Sequence, residues 1–215
     1  MFKKILVANR GEIAVRIIRA CKELGVSTVA VHSDVDHDSM HVRLADESVC
    51  IGSYQPQNSY LNIAALLSAA DLTNAEAIHP GYGFLSENYN FAKRVTDHGI
   101  KFIGPNANLI KSMGDKIEAK RIAFENGLPV IQGSKGGVTS LDQAKKICSS
   151  IDYPILIKAS GGGGGKGMKL VTNESQLENA LNSAKNEAKK YFNNDEVYIE
   201  KYFKNPRHVE VQILS

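Results

Sequence analysis

The sequence predicts an α/β protein in two parts: a parallel sheet clad in helices on both faces, then a smaller α+β unit. Two observations carry this. Over the first hundred residues short apolar runs alternate with helical patterns, as right-handed βαβ units require. From about Asn106 the alternation gives way to a helical stretch and then to strands that flank a run of glycines.

The elements follow in order. "KILVA" is a buried strand. Ile13, Ile17, Cys21 and Leu24 then recur at helical spacing, and Gly25 ends that helix. "STVAVHS" and the shorter "SVCIG" are strands, "YLNIAALLSAA" a helix, "EAIHPG" a strand, "SENYNFAKRVTDHG" a helix and "KFIGP" a strand. In such sheets ligands lie beyond the carboxyl ends of the strands, which directs attention to the loops "ANRGE" (8–12) and "HPGYGFLSEN" (79–88). The helical "DKIEAKRIAFENG" leads through Pro129 into the second unit, with a boundary near 114–130. That unit reads helix ("SLDQAKKICSSI"), strand ("YPILIKA"), glycine loop, strand ("GMKLVT"), helix (174–192) and strand ("EVYIEKYF"). Leu177, Leu181, Ala184 and Ala188 form the apolar stripe of the long helix, Asn173 and Gln176 suit its start, and Lys189 and Lys190 its end. The closing "HVEVQILS" alternates as a strand with one apolar and one polar face.

Composition excludes several classes of function. The 215 residues are 43% hydrophobic and 23% charged, with 26 basic and 23 acidic residues giving a net charge of +3. That balance does not point to nucleic acid. Cys21, Cys50 and Cys148 lie far apart without CxxC spacing, so neither a zinc site nor a disulfide framework is indicated. No segment has the length of a membrane span, and the start has too short an apolar run for a signal peptide, so a cytoplasmic location is the expectation.

The stretch "IKASGGGGGKGMKLVT" carries the most chemistry. Gly162, Gly164 and Gly167 satisfy the GxGxxG spacing, but that fingerprint needs a helix immediately after it, and "MKLVT" has strand character. A P-loop fails as well, because Lys166 is followed by glycine rather than Ser or Thr. A hairpin remains: strand, glycine loop and strand making a flap whose backbone N–H groups cover a polyphosphate. Lys158, at the end of an apolar strand, can aim its ammonium at phosphate oxygens. The plainer alternative is a flexible surface loop with Lys158 snorkelling to water. The flanking lysines and the absence of serine favour the flap.

Five blocks, "VANRGEIAVRIIRA", "HPGYGFLSEN", "MGDKIEAK", "IKASGGGGGKGMK" and "RHVEVQIL", together resemble the biotin carboxylase family of ATP-grasp enzymes. These form the biotin carboxylase component of acetyl-CoA, propionyl-CoA and pyruvate carboxylases. The resemblance is collinear over the whole chain and covers about half of what such a protein contains. It implies a Rossmann-like pre-ATP-grasp domain (1–113), a connecting helical segment (114–130), an ATP-grasp lid with the glycine flap (131–203) and the first strand of the main ATP-grasp domain (204–215). It also implies a reaction: ATP and bicarbonate give carboxyphosphate and ADP, and the carboxyl group passes to a ureido nitrogen of biotin on a carrier protein.

Carried over position by position, the resemblance makes Lys116 and Lys158 phosphate ligands and places Gly164 and Gly165 in the flap. Glu200, Lys201, Tyr202 and Phe203 match the hinge that reads the adenine edge, with Met168 and Phe203 as an apolar wall. His208 matches a ribose contact, with Glu210 beside it. Lys116 also reads as one more helix lysine beside Lys120 and Arg121, and Glu200 with Lys201 as a solvated charge pair. The implied ligands and partners are ATP, Mg2+, bicarbonate, biotin on its carrier, a carboxyltransferase component and, at full length, a second copy of the chain. The family's Mg2+ ligands, its bicarbonate- and biotin-site arginines and its catalytic base are expected beyond residue 215, so no catalytic or metal-binding residue is assigned and this chain is expected not to turn over alone. The mitochondrial matrix is the implied location for a eukaryotic member. Two alternatives stand: a carbamoyl-phosphate-synthetase-like ATP-grasp unit, and a non-catalytic nucleotide-binding module.

Overall fold

The computed structural model describes residues 1–160, 168–207 and 209, except for the side chain of Phe192. The chain divides into two compact units, one built on Met1–Lys111 and the other beginning at Ser112.

The first unit contains five parallel strands: β1 (Lys4–Val7), β2 (Ser27–His32), β3 (Glu47–Cys50), β4 (Ala77–His79) and β5 (Lys101–Phe102), in the order β3-β2-β1-β4-β5. Between them run α1 (Gly11–Glu23), α2 (Met40–Leu44), α3 (Ile63–Thr73) and α4 (Tyr89–Asp97), followed by α5 (Ala107–Gly114). Strand alternation feeds two cores. Leu6, Val29, Val31 and Ile78 face α3 and α4, whereas Ile5, Val7, Ala30 and Ala77 face α1 and α2. Both faces are therefore apolar and covered, which is why the strands read as continuous hydrophobic runs. Gly25 adopts the left-handed region at φ +68, and the N–H groups of Gly25 and Val26 reach Lys22 O and Cys21 O, closing α1 with a Schellman motif.

Two helix starts differ from the sequence reading. The helix expected from Tyr60 begins at Ile63, because the Asn62 side chain accepts from Ala65 N and caps it. Tyr60 is a buried loop residue instead. The helix expected from Ser86 begins at Tyr89 for the same reason, with Asn88 as its cap. The short α2 and α5 were not anticipated.

The second unit contains α6 (Lys116–Glu125), α7 (Leu141–Ile151), β6 (Ile155–Ala159), β7 (Lys169–Val171), α8 (Leu177–Phe192) and β8 (Val197–Lys201). Its sheet is antiparallel, in the order β7-β6-β8. Ile155, Ile157, Val171, Val197 and Ile199 face α7 and α8. The stripe read from sequence is what α8 buries: Leu177, Leu181, Ala184 and Ala188. Each buried leucine contributes about 2 kcal/mol. The start of that helix is corrected. Residues 174–176 form a 3-10 turn, and Asn173 does not cap. Gln176 Oε1 instead accepts from the N–H and hydroxyl of Thr172, which tightens the turn and delays the helix to Leu177. The strand expected over 196–203 is confined to Val197–Lys201. Of the strand expected over 208–215, only Val209 is described, and it is exposed.

Candidate functional site

The two faces of the small sheet differ. Register puts Leu156 opposite both Leu170 and Glu200, and Lys158 opposite Tyr198. These residues share the face turned away from α7 and α8. Leu170 is exposed and Leu156 half-buried, so an apolar shelf runs across β7 and β6 up to the carboxylate of Glu200.

On that face Glu200 gathers two lysines. Lys158 Nζ donates to Oε2 at 2.7 Å, and Lys120 Nζ, from α6, donates to Oε1 at 3.1 Å. The side chains are 25% exposed for Lys158, 19% for Lys120 and 10% for Glu200, so the group is largely withdrawn from water. Burial by itself would push the Glu200 carboxyl up, yet the two ammonium donors, Lys158 and then Lys120, carry it below its ordinary value. Two cations share one anion here. The surplus positive charge beside an apolar shelf suits a ligand with a flat apolar part and an anionic tail.

The backbone around Glu200 is fixed from both sides. Beyond the β6 pairing, Gly133 bridges to Glu200, Ser134 N donates to Ile199 O at 2.8 Å, and Lys201 N donates to Gln132 O at 2.9 Å. This approach demands glycine: a Cβ on Gly133 would lie 2.1 Å from Ile199 O and 2.9 Å from the Glu200 Cα. A cavity of about 600 Å³ lies alongside, lined by Ile117, Lys120, Phe124, Ile131, Gly133 and Tyr198.

The structure thus brings Lys158 and Glu200 together and adds Lys120, to which the sequence assigns no role. The signal available was the DKIEAK spacing, which puts Lys116 and Lys120 one turn apart on one side of α6. Arg121 is engaged elsewhere, with Glu118 and Glu125. Glu200 and Lys201 are not a pair with each other. Lys201 Nζ turns to the opposite side and donates to Ile151 O and Asp152 O at the end of α7, at 3.0 and 3.2 Å. Tyr202 N donates to Pro154 O, Tyr202 is half-buried, and the Phe203 and Met168 side chains are exposed. Gly164, Gly165, His208 and Glu210 lie outside the described residues. Residues 155–159 and 169–171, on either side of the glycine run, pair antiparallel, and no helix follows the run directly.

In the first unit, the loops at the strand ends are tied to each other. Asn9 Nδ2 donates to Pro80 O and Tyr82 O at 2.7 and 2.8 Å. Arg10 forks onto Asp36, with Nε to Oδ2 at 2.9 Å and Nη2 to Oδ1 at 2.6 Å. Tyr60 and Ser33 hydroxyls donate to Asp36 Oδ2 at 2.6 and 3.0 Å. The Arg10 guanidinium holds the Asp36 carboxyl far below the usual range, and burial, then Asp36, pushes Tyr60 up to about 12. Here charge and donors balance internally. Among the described residues no cluster of three or more His, Cys, Asp or Glu could hold a metal, and no helix is long and apolar enough to cross a membrane.

Comparison with known proteins agrees with the fold. Residues 1–110 match the family model for the biotin carboxylase N-terminal domain, and residues 115–215 match that for the carbamoyl-phosphate synthase L chain ATP-binding domain. The chain is 56% identical over its whole length to a biotin carboxylase of Haemophilus influenzae and covers 48% of that protein. It is 52% identical over 99% of its length to a pyruvate carboxylase of Staphylococcus aureus, covering 19% of it. A crystal structure of the biotin carboxylase–β-γ-ATP complex from Campylobacter jejuni superposes with a TM-score of 0.89 at 47% identity, over 96% of this chain and 46% of that one. The biotin carboxylase domain dimer of 2-oxoglutarate carboxylase from Hydrogenobacter thermophilus, solved with MgADP, ADP and bicarbonate, gives 0.85 at 47% identity, over 95% and 45%. The chain spans about half the length of the curated biotin carboxylases it matches. With its N-terminal 110 residues matched by the family's own model and the remainder by an ATP-binding domain, the chain belongs to the biotin carboxylase family.

Proposed function

We propose that this chain is the nucleotide-binding part of a biotin carboxylase. In the complete reaction ATP and bicarbonate give carboxyphosphate and ADP, and the carboxyl group is transferred to a ureido nitrogen of biotin on a carrier protein. The observation that carries this reading is the shared face of the small sheet, where Lys158 and Lys120 meet on Glu200 next to the Leu156–Leu170 shelf. Polyphosphate needs cations held partly out of water, and a purine needs an apolar bed.

In this reading Lys116 and Lys158 bind phosphate, Gly164 and Gly165 belong to the covering flap, residues 200–203 border the adenine and His208 meets the ribose. The domains run 1–113, 114–130, 131–203 and 204–215. Mg2+ ligands, the bicarbonate and biotin sites and the catalytic base belong outside residues 1–215. The partners are the biotin carrier, a carboxyltransferase and a second copy of the full-length protein, in the cytoplasm or, for a eukaryotic protein, the mitochondrial matrix. Acetyl-CoA, propionyl-CoA and pyruvate are the candidate final acceptors.

ATP titrated into the isotopically labelled chain tests the reading. Amide resonances of Leu156, Lys158, Leu170 and Glu200 are expected to shift with weak affinity, with little or no bicarbonate-dependent hydrolysis. Shifts confined to other residues overturn the assignment of the site, and measurable turnover overturns the division of the catalytic groups. The match of residues 115–215 to a carbamoyl-phosphate synthase domain keeps that activity as a second reading. Biotin-stimulated ATPase in the full-length protein separates the two.

A further inference from the structure

The triad on the shared face gives Lys120 a task that nothing in the sequence motif assigns to it. Resting on the nucleotide reading above, we infer that Lys120 is a positioning residue: it keeps Glu200 neutralised so that Lys158 can leave that carboxylate for a nucleotide's polyphosphate.

Glu200 cannot follow Lys158. Its backbone is locked by β6 on one side and by the Gly133 bridge on the other, with Lys201 N on Gln132 O and Ser134 N on Ile199 O. Lys158 can move, because its ammonium hangs on four methylenes near the end of β6, where it donates to Glu200 Oε2 at 2.7 Å. When an anionic ligand draws that ammonium away, a carboxylate with only 10% of its side chain exposed would be stranded without a counterion. Stranding a buried charge is costly. Lys120 prevents it, since it reaches the other oxygen, Oε1, from a different element and stays there whichever way Lys158 turns. Without Lys120, Lys158 is the sole counterion of Glu200 among the described residues and is retained by it, so the polyphosphate must compete for its ligand.

The test is a double-mutant cycle on the whole chain, with and without Glu200→Gln, in which Lys120→Met, Lys158→Met and the double variant are titrated with ATP and, separately, with adenosine. Methionine keeps the stem and removes the charge, and Lys120→Arg serves as the conservative variant. Lys120→Met is expected to weaken ATP about tenfold, the scale of one charge-assisted hydrogen bond, and to leave adenosine within about twofold. Lys120→Arg restores most of the ATP affinity. On a Glu200→Gln background, where no buried anion is stranded, Lys120→Met adds nothing further to Lys158→Met, because its effect passes through Glu200 and Lys158.

Additive losses on the Glu200→Gln background would mean that Lys120 touches phosphate itself, and overturn the inference. Equal losses for adenosine and ATP would mean a structural role, and overturn it too. Unchanged ATP binding in Lys120→Met overturns it while leaving the nucleotide site standing. If the unsubstituted chain bound no ATP, both the site and this inference would fall.

Discussion

The two units handle buried charge in opposite ways. In the first, Asp36 is matched by one cation and two hydroxyls, and Arg10, Tyr60 and Ser33 spend their donors on it. In the second, Glu200 faces two cations, and one of them can be shared outward. The sheets follow the same division. The parallel sheet has helices on both faces and two cores, whereas the antiparallel sheet packs one face on α7 and α8 and carries Lys158 and Glu200 on the other. A balanced cluster holds a fold together, and an unbalanced one on an open face is equipped for a charged ligand.

The sharpest way to break that contrast is Asp36→Ala. It removes the acceptor of the Tyr60 and Ser33 hydroxyl protons and both acceptors of the Arg10 fork, leaving buried donors unpaired although the Tyr60 oxygen still accepts from Ser33 N. Arg10 is half exposed and recovers part of its hydration, which puts the expected loss near the lower end for a broken buried pair, about 3 kcal/mol. Urea unfolding at neutral pH measures it. The pH dependence follows from the direction of the shift. The folded-state carboxyl of Asp36 lies below its unfolded value of about 3.9. Its contribution is therefore complete above that value and is lost as pH falls through it towards the folded value. The acid limb of stability should be shallower in Asp36→Ala than in the unsubstituted chain. Equal slopes would show that Asp36 is not the group holding the first unit against acid.

How much of this was legible in the sequence depends on how local each cause is. The parallel strands announced themselves because both faces are buried, so "KILV" and "STVAVH" are apolar without interruption. The α8 stripe was legible for the same reason, since four apolar residues at helical spacing need one partner face. The helix starts at Ile63 and Tyr89 lie three residues beyond those the pattern predicts, because an asparagine cap competes with hydrophobic pattern and wins. Lys158 was legible as the last lysine of an apolar strand. Lys120 was not, because its partner is 80 residues away in sequence and the contact exists only once β8 is placed beside α6.

A smaller effect sharpens the comparison within the second unit. Gly133→Ala pushes a methyl group against Ile199 O, and the clash is with backbone that cannot turn aside. Separation of the 132–134 segment from β8 should cost about 2–3 kcal/mol, as overpacking does. It should also loosen Glu200, so ATP-induced shifts should weaken in parallel with stability. A variant that lost stability but kept the full ATP response would show that the Gly133 bridge supports the fold and not the carboxylate.

The smallest effect lies on α6 itself, one residue beyond Lys120. Arg121 donates to Glu118 and Glu125, with Nη2 to Glu118 Oε1 and Nη1 to Glu125 Oε1 both at 2.6 Å, yet all three side chains stand in solvent. The geometry of this network is as tight as that of the Glu200 triad. Solvent screening and side-chain entropy cancel most of what such surface pairs gain. Arg121→Ala should therefore leave the urea midpoint and the ATP response within experimental error, and raising the salt concentration should not separate it from the unsubstituted chain. Lys120→Met, its neighbour, should change the ATP response clearly. If the two variants behaved alike, short distance rather than withdrawal from water would be what gives a charge on α6 its effect, and the contrast drawn between balanced and unbalanced clusters would lose its physical basis.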